Sequence, residues 1–155
     1  MRSLPLLLLL ASALPAPAQE ARVDTAAVRA CHDSVPVGGA VPDCVGDAAD
    51  VCADGPEGRT TLAISECLMA ETAAWDAMLN EVYQRQMADL AAQAADLPDQ
   101  LRAAQRAWIA FRDAECGLQY GLWQDGSMRV IVAGNCQLSK TAERTLELRD
   151  LGAME

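Results

Sequence analysis

Aromatic residues are scarce in this chain: Phe, Tyr and Trp together make up 4% of its 155 residues, while Ala and Leu abound. Runs of β-branched residues are nearly absent too, the exception being Val130-Ile131-Val132. That composition suits close-packed helices and leaves little from which to build a sheet. Histidine occurs once, as His32, so general-base histidine chemistry has one candidate, in an expected loop or helix end. There is no Cys-x-x-Cys and no His-x-x-x-His pair to gather a zinc ion, although Cys31, His32, Cys44 and Cys52 must be weighed as ligands. A Gly-x-Ser-x-Gly elbow and a Gly-rich phosphate loop are both missing. Cations are few as well, 12 Lys+Arg against 22 Asp+Glu, a net charge of −10. Nucleic acid and anionic membrane surfaces both need clustered cations, so the balance excludes them as natural partners. It suits a basic protein partner, or simply keeps the chain soluble.

What is present begins with a leader. Arg2 precedes the apolar run LPLLLLLASAL, and Ala16-Pro17-Ala18 has the small-x-small form of a cleavage site. The run is too short to span a bilayer, and nothing after it is apolar enough. Residues 1–18 are therefore expected to be a cleaved signal peptide, leaving a periplasmic or secreted chain from about Gln19. No Cys stands at that point to take a lipid, so no membrane anchor is expected. Loss of Arg2 leaves 11 cations against 22 anions, a mature net charge of −11. All six Cys (31, 44, 52, 67, 116 and 136) lie in the mature part. An even count in a small exported domain reads as disulfides. Six Cys allow 15 connectivities, and the order among Cys31, Cys44, Cys52 and Cys67 stays open.

Along the chain, VDTAAVRACHDS reads as a short helix with Asp24 or Thr25 as N-cap. DCVGDAADVCAD reads as a second, and ADGPEGR as a break. Residues 19–59 thus form a Cys-containing extension with short helices, ahead of a helical domain over 60–151. From Thr60 or Thr61 to about Ala95 there is no Gly or Pro, and Ile64, Leu68, Trp75, Leu79, Val82, Gln86 and Leu90 recur at helical steps. A new helix starts at Asp96-Leu97-Pro98 and is expected to close at Gly117. So short a connection folds the two into a long antiparallel hairpin. GLQYGLWQDGSMRVIVAGN reads as a structured loop or a small β-hairpin between Leu122 and Val132. A final helix is expected from about Gln137 to Leu151. The fold class is all-α and disulfide-stapled.

The stretch QRAWIAFRDAEC sets Gln105, Trp108, Arg112 and Cys116 along one stripe. A guanidinium facing another helix must be paired, because an unpaired buried charge is very costly. A hairpin turning near 96 brings Arg112 close to Asn80 and within reach of Asp76 and Tyr83. The expectation is a structural polar layer of Asp76, Asn80, Tyr83, Gln105, Trp108 and Arg112, with Asp76 holding Arg112 and fixing the register. Glu66, Glu71, Asp76, Asp113 and Glu115 offer paired carboxylates of the glycosidase kind. A slender hairpin lacks the concavity such a pair needs, so no catalytic residue, no cofactor and no metal is assigned.

A bridge between Cys116 and Cys136 would close a loop of about twenty residues, worth about 3 kcal/mol. Tyr120, Trp123, Asp125, Ser127 and Arg129 would then stand on an anchored loop, a combination that protein-binding hot spots use. The competing reading is that Leu122 and Trp123 cap the core at the open end of the hairpin.

An acidic residue, Trp and Asp at 71, 75 and 76 are followed by Leu79-Asn80-x-x-Tyr83. Then come Gln105-Arg106-x-Trp108-x-x-x-Arg112-Asp113, Cys116, the turn before Ser127, and Cys136 with Leu138, Thr141 and Arg144. Together these resemble the LprI-like lysozyme-inhibitor family of small, exported, largely helical bacterial proteins, over roughly residues 60–150. The chain departs in having Asp125-Gly126-Ser127 where Gly-Gly is commoner, and in lacking the lipoprotein Cys of the member that names the family. The resemblance implies a non-enzymatic inhibitor of lysozyme-type muramidases. The acidity suits a basic lysozyme as its partner, and a projecting loop with Tyr120, Ser127 and Arg129 as donors is expected to occlude its cleft. The alternatives are a periplasmic envelope interaction or stress module without lysozyme inhibition and, less compatible, a cell-wall hydrolase.

Overall fold

The structure, a computed structural model, describes residues 22–55 and 59–153, so the expected signal peptide lies outside the described residues. Five helices follow one another: α1 (Thr25–Asp33), α2 (Asp47–Ala53), α3 (Thr61–Gln93), α4 (Leu97–Leu122) and α5 (Arg129–Arg149). No strand occurs among the described residues.

Local chemistry explains most of the boundaries. Asp24 caps α1, its Oδ1 accepting from the backbone N–H groups of Ala26 (2.9 Å) and Ala27 (3.3 Å). Thr60 caps α3 in the same way, accepting from Ala63 N–H at 3.1 Å. Without Gly or Pro to interrupt it, α3 then runs for 33 residues, about 50 Å. It ends where Ala94 turns extended, and Pro98 enters the first turn of α4, where its missing N–H costs nothing.

Two expectations fail between Gly117 and Gln137. Helix α4 continues through Gly117 and Gly121 to Leu122, and α5 begins at Arg129, so neither a β-hairpin nor a long loop forms. Each helical Gly costs about 1 kcal/mol against Ala, which context easily overrides. The context here is the Cys116–Cys136 bridge and the packing of Ile131 against the core. Val130-Ile131-Val132 accordingly forms the first turn of α5.

Helices α3 and α4 fold back on each other, but the main partner of α3 is α5, and α4 lies more against α5 than against α3. The face α5 turns inward carries Leu138, Thr141, Ala142, Thr145, Leu146 and Leu148. Gly134 leaves room for the Leu68 side chain of α3, since a Cβ there would stand 3.3 Å from Leu68 Cδ1. Trp75, fully buried, sits in one core cluster with Val28, Leu68, Met78, Leu138 and Ala142. A second cluster joins Leu79, Val82, Leu101 and Leu148, flanked by Tyr83 and Trp108. Disulfides connect Cys31 to Cys44, Cys52 to Cys67 and Cys116 to Cys136.

Candidate partner-binding surface

Helices α4 and α5 meet at a corner, residues 123–128, held from behind by Cys116–Cys136 with a Cα–Cα distance of 5.5 Å. Trp123 ends α4, and Gln124 adopts a left-handed φ of 46°, rare for a residue with a side chain. Gly126 donates its N–H to Trp123 O at 2.8 Å, where a Cβ would approach that oxygen to 3.0 Å. Arg129 then locks the corner. Its Nη1 donates to Gln124 O at 2.9 Å and lies 3.7 Å from Asp125 Oδ1, and its guanidinium stacks over Tyr120, 5.1 Å from the ring centre. Arg129 is thus engaged within the corner, with one N–H of its guanidinium committed to Gln124 O and the side chain still 35% exposed.

Apolar side chains crowd the outside of this corner. Leu122 is 65% exposed and Trp123 47%, and Leu118, Tyr120 and Met128 are exposed near them in the chain. Trp123 and Leu122 belong to neither core cluster. Ser127 and Asp125 are exposed at the tip. A chain of net charge −10 therefore presents a firmly held apolar patch with a polar rim.

The six residues expected to form a polar layer come together differently. Asp76, Asn80, Tyr83, Gln105, Trp108 and Arg112 all line one open groove between α3 and α4. The Asp76–Arg112 pair is not made. Asn80 Nδ2 donates to Asp76 Oδ2 at 3.1 Å, and Arg112 donates to its neighbour Asp113 at 2.9 and 3.0 Å while lying 5.1 Å over Trp108. Helix α5 takes up Gln105, since Arg144 Nε donates to its Oε1 at 3.1 Å. An exposed acid one residue away satisfies Arg112 without bridging two helices.

Sequence reasoning missed the groups that bind the N-terminal segment to the rest. Glu71 is 1% exposed, and its carboxylate accepts from Gly46 N–H (2.8 Å), Ala49 N–H (2.7 Å) and Trp75 Nε1 (3.3 Å). It thereby caps α2, whose own cap residue is Gly46 with no side chain to offer. Fully used in this way, Glu71 is not available as a hydrolytic acid. Arg149, at the end of α5, donates to the carbonyls of His32, Val35 and Pro36 and to Asp150. That hydrogen bond to Arg149 holds the Asp150 carboxyl below its ordinary range, and raises Arg149 in turn. His32 is buried at the end of α1, edge-on to Trp75, with Nδ1 2.7 Å from Asp33 Oδ1. All six sulfurs are consumed in bridges, and no group of metal-binding side chains occurs among the described residues.

The model of the lysozyme inhibitor LprI family matches residues 52–148. The chain belongs to the LprI family. This LprI chain is also 33% identical over 95 residues to an uncharacterized protein of Rhizobium meliloti (strain 1021), a match covering 55% of this chain and 68% of that one. No solved structure matches. Membership carries a protein partner and a role as an inhibitor, not an enzyme. Three disulfides together with the family indicate an extracytoplasmic setting. No described helix is long and apolar enough to cross a membrane.

Proposed function

We propose that this LprI-family chain is an exported inhibitor that binds a basic lysozyme through the α4–α5 corner. In this reading residues 1–18 are a cleaved leader, 19–59 an extension that braces the helices, and 60–151 the inhibitor domain. The observation that carries it is the exposed apolar corner of Leu122, Trp123 and Met128, anchored by Cys116–Cys136 and locked by Arg129. A patch held this firmly loses little freedom on binding, which favours affinity. Tyr120, Asp125 and Ser127 form its polar rim, and the acidic remainder speeds encounter with a cationic enzyme.

The test is a calorimetric titration of the purified mature chain against a basic lysozyme at low and moderate salt, beside a cell-wall lysis assay. Saturable binding that slows lysis, with association weakening as salt rises, is expected. Trp123→Ala should weaken binding about 30-fold, the loss of one hot-spot side chain, with the melting temperature unchanged. Absence of binding at every ionic strength would end the reading.

A further inference from the structure

The groove between α3 and α4 lies well away from the corner, about 25 Å along α4 from Arg106 to Trp123. It measures about 280 Å³. Among the described residues no hydrogen bond or ion pair crosses from α3 to α4, so the polar groups lining it answer to partners on their own helix, on α5, or to none. Three guanidiniums, Arg102, Arg106 and Arg112, line it against one carboxylate, Asp76, in a chain otherwise rich in acid. Arg102 and Arg112 share charge with Asp99 and Asp113, both exposed neighbours on α4. Arg106 has no carboxylate partner among the described residues. Gln105 has committed its oxygen to Arg144 and keeps its amide N–H groups as donors, and Asn80, with its nitrogen on Asp76, keeps its oxygen as an acceptor.

We infer that this groove is a separate binding site for a small carboxylate-bearing ligand, of the chemistry a muramyl sugar or a peptide carboxyl terminus presents. Arg106 meets the carboxylate. Arg102 turns to it from an exposed ion pair, which is worth little and so yields readily, while Arg112, stacked on Trp108, already lines the groove. Planar guanidiniums suit a carboxylate because two N–H groups match its two oxygens. The amides of Asn80 and Gln105 provide an acceptor and donors for an acetamido or peptide group, and Tyr83 gives a partly apolar wall. The volume admits one ring or a short peptide end, no more. Nothing in this depends on lysozyme binding, which involves other residues.

The test follows backbone amide shifts of the ¹⁵N-labelled chain by NMR during separate titrations with N-acetylmuramic acid, N-acetylglucosamine and N-acetyl-D-alanyl-D-alanine. The first two differ in the lactyl carboxylate, so the muramic acid should give saturable shifts at residues 80, 83, 105 and 106 with a millimolar Kd, and N-acetylglucosamine none. Saturation by the dipeptide in place of the sugar would keep the carboxylate site and assign its source to peptide. Arg106→Gln should raise the Kd about tenfold, as loss of one charged contact does, with an unchanged melting curve. The proposal fails if neither acid saturates, if N-acetylglucosamine binds as well as the acids, or if Arg106→Gln leaves the Kd where it was.

Discussion

The segment carrying α1 and α2 and the long helix α4 are attached to the rest of the molecule by opposite means. The short helices lack the length to hold themselves, and each is fixed from outside. Glu71 caps α2, Arg149 grips the carbonyls after α1, and Cys52–Cys67 ties the segment to α3 while Cys31–Cys44 closes it on itself. Helix α4 is long and self-sufficient in its backbone, yet only Leu101 and Cys116 among its residues are buried. In the first region polar groups serve the fold and are hidden. In the second the fold spends little, and side chains remain in solvent where a partner can meet them. Burial of only two of its residues is what leaves most of α4 free for recognition.

The largest effect that would break this contrast comes from Glu71→Ala. It orphans two N–H groups of α2 and the indole N–H of Trp75, and should cost about 4 kcal/mol in a urea titration, against within about 0.5 kcal/mol for Phe111→Ser on the exposed face of α4. Equal costs would erase the distinction. Next, Cys116→Ser with Cys136→Ser should lose about 3 kcal/mol and loosen the corner, so lysozyme affinity should fall with stability. Retained affinity would show that the corner needs no anchor.

A smaller effect is expected at Asp150. Its folded carboxyl is held below the ordinary value of 3.8, chiefly by the hydrogen bond from Arg149. Its contribution is therefore fully present above that value and lost as pH falls through the lower folded value. Asp150→Asn should cost about 2 kcal/mol at neutral pH, and its stability should converge with that of the unmodified chain in acid. A constant gap from neutral to strongly acidic pH would contradict the assignment. The smallest effect is a gain. A Cβ at Gly117 or Gly121 meets nothing within 4 Å, so Gly117→Ala and Gly121→Ala should each add about 0.5–1 kcal/mol by thermal unfolding.

The glycines also explain where sequence reasoning held and where it broke. Helix starts governed by a neighbouring side chain, as at Asp24 and Thr60, were legible because a cap acts within three residues. The all-α class and the hairpin followed from an uninterrupted apolar period. Gly117, Gly121 and Gly134 read as punctuation, yet all three lie within helices. A glycine's preference is local, about 1 kcal/mol, and tertiary packing outweighs it without leaving a trace in the neighbouring residues. The role of Glu71 was hidden for a related reason. Its partners at Gly46 and Ala49 are backbone groups, which carry no residue identity to read. For Arg112 the error was one of distance. The hairpin register brought Asp76 to the same groove, but Asp113, one residue away, reaches the guanidinium without closing a gap between helices. The corner was legible as a cluster of residues but not as a helix-to-helix turn.

The order of the bridges has a consequence for how the chain matures. Each cysteine bonds with the next along the chain, at separations of 13, 15 and 20 residues, and no bridge encloses or crosses another. Of the 15 ways to pair six thiols, this is the one reached when each odd-numbered thiol is oxidised with the first to emerge after it. Were the chain delivered N-terminus first into an oxidising compartment, the order of arrival alone would give this connectivity. A fast, indiscriminate oxidant acting from the N-terminus onward would then reach the native pairing without an isomerase.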